Sequence, residues 1–324
     1  MRLCGKKQPR YCISVTDLRQ TYGLLNAIDG ISFNVEYGKV FGFLGPNGAG
    51  KTTTIKILTS LIQPSSGTVR IFDKDILKHS TEIKKHLGVV LQQPSFEANL
   101  TVEHALDLYG FLWGVPGEIR KDKVREVLHA FDLESFKNTK NDELSIGQRR
   151  RVQVAREFIH DMDLLFLDEP TVGLDPSARR MLLDYIKKHV KEGLTVFFTT
   201  HIMEEAEYLC DQIAIINKGK IIAFDTPSGL KQKYGGAKTI EIKLKDATAQ
   251  SVLYLVKSVT GNSHVETPES NTVRIGSVDA QEIMIKTIES FSKNGIQIEN
   301  IAINPPTLEE VFLTIVNGVN ETKH

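Results

Sequence analysis

The apolar positions fall into two regimes along the 324 residues. Up to about residue 236, short apolar runs alternate with stretches of helical periodicity. Lys39–Leu44, Thr68–Phe72, Leu87–Leu91, Leu164–Leu167, Thr195–Thr200 and Gln212–Ile216 read as strands. Several are apolar at every position rather than at alternate ones, the pattern of a strand covered on both faces. Between Thr101 and His160 the period becomes helical, with Val124, Leu128 and Phe131 on one face. The expectation is an α/β domain carrying a helical subdomain over about residues 96–160.

Tyr234-Gly235-Gly236-Ala237 interrupts this pattern. Beyond it Ile240, Ile242 and Leu244 alternate as in a strand, and Val252, Leu255, Val256 and Val259 share a helix face. Strands around 264–266 and 272–275 are expected next, turning at Pro268 and Asn271. A helix over Ile283–Phe291 stops near Gly295, and Ile296, Ile298, Ile301 and Ile303 suggest a last strand. This β-α-β-β-α-β order is that of a ferredoxin-like α+β domain. Thr307 and Glu310 have capping-box spacing and predict a final helix with Gly318 beyond its end. The expected division is a basic tail (1–12), a main domain (13–236) and an accessory domain (237–324).

Composition narrows the function. A hydrophobic share of 41% and a charged share of 25% suit a globular protein with a large core. Charge balances at 40 basic and 40 acidic residues. Residues 238–324 carry 8 basic and 11 acidic residues, so the accessory domain is net −3 and the rest net +3. Nucleic acid is therefore not an expected partner, because phosphate neutralisation needs a cationic surface. Cys4, Cys12 and Cys210 are odd in number and show no CxxC spacing, which reads as reduced thiols. No apolar run approaches the ~20 residues of a membrane span.

Gly45-Pro46-Asn47-Gly48-Ala49-Gly50-Lys51-Thr52 matches GxxxxGK[ST], with a strand before it and a helical pattern from Thr53 after it. The glycines let the backbone wrap an anion with its amides inward, and the helix start adds a positive dipole end. Lys51 is expected to reach the β and γ phosphates, and the Thr52 hydroxyl to hold Mg²⁺. Leu164–Leu167 is a buried-strand run followed by Asp168 and Glu169, which places both acids at the carboxyl edge where α/β sheets bind ligands. Asp168 is expected in the Mg²⁺ shell. Glu169 is expected to act as general base on the attacking water.

Leu144-Ser145-Ile146-Gly147-Gln148 precedes that strand and resembles the LSGGQ signature of ABC transporter ATP-binding subunits. The similarity runs from about Ile13 to Leu230, with the loops in the family's order. The resemblance implies a P-loop cassette that binds ATP through Gly45–Thr53, with Tyr22 stacking on adenine. It implies that Gln92 senses Mg²⁺ and connects to a membrane subunit, with Gln93 as the neighbouring alternative. It implies that His201 contacts the γ-phosphate and joins Glu169 and Lys51 in catalysis. Ser145, Gly147 and Gln148 would grip ATP held by a second copy, and Asp175 in Gly173-Leu174-Asp175-Pro176 would cross to that copy. One phosphate loop and one signature per chain then imply a head-to-tail homodimer.

Ile146 departs from the family's glycine. Were that position to need positive φ, or to lie flush against phosphate, a β-branched residue would cost turnover. With no spanning segment, the partner is expected to be a permease on another chain, which would hold this subunit at the inner face of the membrane. Phe96–Trp113 is the candidate docking segment. The accessory domain and its Pro305-Pro306-Thr307-Leu308-Glu309-Glu310-Val311-Phe312 resemble those of ABC-2 drug-resistance exporters. A non-transport ABC ATPase acting on ribosomes or DNA is the alternative, but neither a second cassette nor a long coiled coil is present in the sequence.

Overall fold

The computed structural model describes residues 10–93, 95–261 and 264–321. The basic segment 1–9, with Cys4, lies outside the described residues. By internal contacts the chain divides into two units, 1–226 and 227–324.

The first unit opens with two long strands, β1 (Tyr11–Tyr22) and β2 (Leu25–Glu36). Next come β3 (Val40–Leu44), α1 (Lys51–Leu58), β4 (Ser66–Ile71), β5 (Lys74–Asp75), α2 (Ser80–Lys84) and β6 (Leu87–Val90). The expected helical subdomain holds α3 (Val102–Leu112), α4 (Gly117–Ala130) and α5 (Ile146–Ala155), which runs into a 3-10 turn at Arg156–Ile159. The unit ends with β7 (Leu164–Asp168), α6 (Pro176–Lys191), β8 (Thr195–Thr199), α7 (Met203–Leu209), β9 (Gln212–Asn217) and β10 (Lys220–Asp225).

Six strands form the central sheet in the order β10-β9-β3-β8-β7-β6, parallel except for the β10–β9 pair. β3, β7 and β8 are buried at every residue, as continuous apolar runs require. A smaller antiparallel sheet, β2-β1-β4-β5, packs into the same core, with Phe33 stacked on Phe41 at 5.2 Å between ring centres. The β1–β2 hairpin has no counterpart among the expected strands. Register shifts and polar residues such as Asp17, Arg19 and Asp29 break its alternation.

The second unit contains α8 (Pro227–Tyr234), β11 (Lys238–Leu244), α9 (Ala249–Thr260), β12 (His264–Glu269), β13 (Thr272–Ser277), α10 (Ala280–Lys293), β14 (Ile298–Asn304) and α11 (Leu308–Glu321). Its sheet order β12-β13-β11-β14, antiparallel throughout, is the ferredoxin-like arrangement. Ile240, Ile242, Val252, Val256 and Phe291 fill its core. Thr307 and Glu310 form the expected capping box at the start of α11. Two local expectations fail. Pro268 lies within β12 rather than at the turn, and Gly318 lies inside α11 rather than past its end. The division at 226/227 falls ten residues before the break expected at 236/237, because α8 packs on α11.

Candidate functional site

The phosphate-loop sequence joins β3 to α1 at the carboxyl edge of the central sheet. Two of its glycines are dictated by packing. A Cβ on Gly45 would lie 2.3 Å from the Ile216 carbonyl oxygen. Gly50 caps α1 at φ 112°, where a Cβ would also lie 2.6 Å from the Ala27 carbonyl oxygen of β2. Lys51 is buried, and its Nζ donates to the carbonyls of Gly45 (2.8 Å) and Pro46 (3.2 Å). Burial lowers its pKa, while the carboxylates of Glu169 and Asp168 oppose that shift. Thr53 sits in the first turn of α1 beside Thr52.

Asp168 ends β7 and pairs in register with Thr199 of β8. Its two oxygens accept separately, Oδ1 from the Thr199 hydroxyl at 2.6 Å and Oδ2 from the Thr52 hydroxyl at 3.0 Å. Asp168 and the Thr52 side chain therefore meet across 116 residues of sequence. Glu169 follows with φ 51°, a left-handed backbone that non-glycine residues seldom hold. Its N–H donates to the Thr199 carbonyl (3.1 Å) and hydroxyl oxygen (3.2 Å). Its carboxylate accepts from Gln92 Nε2 at 3.3 Å and lies 3.5 Å from His201 Nδ1. Of the two neighbouring glutamines, Gln92 is the one whose side chain reaches this group.

Tyr22 stands at the turn between β1 and β2, half exposed. Ser145, Gly147, Gln148 and Asp175 gather at the starts of α5 and α6. Ser145 caps α5 in a reciprocal capping box, its Oγ accepting from the Gln148 N–H and the Gln148 side chain accepting from the Ser145 N–H. Asp175 caps α6 by accepting from the Ala178 N–H at 2.9 Å, which holds its carboxyl below the usual range. The two caps abut, since a Cβ on Gly147 would lie 2.6 Å from the Gly173 carbonyl oxygen. Ile146 is the first residue of α5. Its backbone is helical, so the expected conformational penalty does not arise. Its side chain is 67% exposed and lies over Gly173.

Sequence reasoning missed Arg150. The run Arg149-Arg150-Arg151 follows the signature-like segment with nothing to tell its members apart, and the structure separates the three. Arg149 lies over the Phe96 ring and Arg151 donates to the carbonyls of Phe131 and Asp132. Arg150 turns inward to 5% exposure, directly behind Asp168 and Glu169. Burial lowers its pKa to about 10, so it stays cationic at neutral pH. The available signal was the apolar flank Val152, Val154 and Ala155. That flank marks the second half of α5 as buried, without telling which arginine turns in. Thr199 was missed as well, because a strand threonine carries no mark of its partner across the sheet.

A family model described as ABC transporter matches residues 28–172. The chain is 32% identical over 308 residues to the daunorubicin/doxorubicin resistance ATP-binding protein DrrA of Streptomyces peucetius, covering 95% of this chain and 93% of that protein. It is 41% identical over 219 residues to the probable multidrug ABC transporter ATP-binding protein YbhF of Escherichia coli. That match covers 68% of this chain and spans only 38% of YbhF. Among solved structures, a dimeric ATP-binding cassette in a post-hydrolysis state with ADP and phosphate superposes with a TM-score of 0.62 at 26% identity. It covers 66% of this chain and 98% of that one.

Proposed function

The chain belongs to the ATP-binding proteins of the ABC transporter family, and from that premise we propose that it binds and hydrolyses ATP to drive export through a permease on a separate chain. The observation that carries this reading is the convergence of Lys51, Thr52, Asp168, Glu169, Gln92 and His201 at one sheet edge. The Thr52 hydroxyl and Asp168 Oδ2, 3.0 Å apart, are two hard oxygen donors beside the phosphate loop and fit Mg²⁺. Thr52 and Asp168 would hold Mg²⁺, with Gln92 as a further ligand, and the ion would supply neutralisation of phosphate charge. Lys51 and the loop amides hold the phosphates. Glu169 takes the proton of the attacking water, and His201 faces the same carboxylate. Tyr22 offers a ring to adenine.

The signature residues Ser145, Gly147 and Gln148 serve a second copy, with Asp175 at the contact between copies. Ser145 caps α5 and Asp175 caps α6, the two caps abut, and the similar solved cassette is dimeric. Among the described residues no helix is long and apolar enough to cross a membrane. In this reading the permease holds the subunit at the inner membrane face. Within the expected docking segment, Tyr109 donates to Glu157 and Trp113 stacks on His160 at 4.0 Å, so both are engaged internally. Leu108, Phe111 and Leu112 of α3, with the outer edge of Trp113, are the exposed apolar surface offered to a partner. Export is favoured by the ferredoxin-like second unit and by the drug-resistance protein similar along nearly the whole chain.

The test is co-purification with the membrane protein encoded beside this chain, reconstituted in vesicles. ATP hydrolysis stimulated by that protein and abolished by Lys51→Ala supports the reading. Hydrolysis stimulated by ribosomes or DNA, and indifferent to the membrane protein, refutes it.

A further inference from the structure

Arg150 lies in the second turn of α5, the helix that begins at the Ser145 cap. Its planar guanidinium makes five hydrogen bonds. Nε donates to the Pro170 carbonyl at 3.1 Å, and one terminal nitrogen donates to the carbonyls of Asp168 (2.6 Å) and Glu169 (2.7 Å). The other donates to the Leu91 carbonyl and to Gln153 Oε1, each at 2.7 Å. Four of the five acceptors are peptide carbonyls from two segments. One segment, 168–170, carries the paired acids, and the other immediately precedes Gln92.

The placement has a physical consequence. β6 ends at Val90 and β7 at Asp168, and these parallel neighbours pair up to Val90 and Leu167. Beyond that point the ladder no longer holds the two strands in register, and Arg150 bridges their continuations. Glu169 sits there at φ 51°, a conformation that persists in a non-glycine residue only when its surroundings impose it. Thr199 holds its N–H and Arg150 its C=O. A lysine could not replace this clamp, because its donors radiate from one atom rather than spanning a planar fork.

We propose that Arg150 is a positioning residue for hydrolysis, locking the Glu169 backbone and the Gln92 segment in mutual register and tying both to the signature helix. This rests on the ATPase reading above, with Glu169 as the base. All five hydrogen bonds of Arg150 go to protein acceptors, so its effect passes through Glu169.

The experiment uses the full chain with Mg-ATP in a double-mutant cycle of Arg150→Ala and Glu169→Gln. Alone, Arg150→Ala lowers kcat about 100-fold, the scale of an ångström-size misplacement, while KM for ATP stays within about 3-fold of wild type. In the Glu169→Gln background the same substitution costs less than about 3-fold, because the group it positions no longer acts. Arg150→Lys keeps charge and bulk and covers the case in which the alanine variant does not fold. It shows the same kcat loss with a melting temperature near wild type. Wild-type kcat in Arg150→Lys, equal losses in both backgrounds, or lost ATP affinity overturns the proposal. A wild-type chain that hydrolyses no ATP overturns the functional reading instead, and this proposal with it.

Discussion

Glu169→Gln tests the proposed base apart from the groups that hold it. The side chain keeps its length and loses its charge. Its backbone clamps remain, since Thr199 holds the N–H and Arg150 the carbonyl. Asp168 keeps both hydroxyl donors, Thr52 and Thr199. A general base contributes about 10²–10⁴-fold, or about 3–5.5 kcal/mol of barrier at 1.36 kcal/mol per tenfold. Steady-state phosphate release is therefore expected to fall by at least about 100-fold, while ATP binding at neutral pH persists and ATP holds a dimer on gel filtration. A second readout follows from Lys51. Burial lowers its pKa, and Glu169 is the larger of the two carboxylate influences that raise it. Removing that charge lowers the pKa further, so the cation is lost at a lower pH. ATP affinity, followed by nucleotide fluorescence from neutral to alkaline pH, should decline earlier in the variant than in wild type. Turnover within tenfold of wild type would remove Glu169 from the base role. Coincident affinity profiles would refute the electrostatic link to Lys51.

Two further substitutions probe the neighbouring elements. Ile146→Gly trims the exposed side chain that lies over Gly173. It should raise turnover about 2- to 5-fold if it frees a helix-terminus contact of ~0.3–1 kcal/mol, and lower stability by ~0.5–1 kcal/mol as glycine enters a helix. Unchanged or lower turnover would show that Ile146 fits its site without penalty. Glu157 is buried, accepting from Tyr109 Oη and the Val89 N–H beside Arg156, and burial raises its pKa. Its neutral form is thus favoured in the fold, and stability falls as pH rises through the folded pKa. Glu157→Gln should therefore melt higher than wild type at pH 8, with the advantage shrinking as pH falls towards the ordinary carboxylate range. An advantage that grows on acidification would contradict this.

Much of the architecture was legible because it rests on local chemistry. Fully apolar runs such as Leu164–Leu167 must be covered on both faces, and the strand-loop-helix around Gly45–Thr52 is a contiguous unit. The same holds for the alternation at Ile240, Ile242 and Leu244 and for the Thr307–Glu310 capping box, where partners lie within a few residues. Legibility failed where the cause is distant. The bulged β1–β2 hairpin conceals its period, and α8 joins the second unit by packing on α11, some 70 residues onward.

The candidate site shows the same division. Short motifs single out Lys51, Thr52, Asp168 and Glu169 as the proposed site, because phosphate and Mg²⁺ binding would demand particular residue types at particular spacings. No spacing indicates that Thr199 supports Asp168, that Ile146 starts a helix without strain, or that Arg150 alone of three arginines turns inward. Those outcomes depend on which backbone groups run out of ladder partners once the sheet is assembled. The sheet brings 91, 150, 168–170 and 199 into one volume, and a buried carbonyl left without a donor is costly. The chemistry is written in the residues, whereas the geometry that holds it comes from hydrogen bonds closed across the assembled sheet.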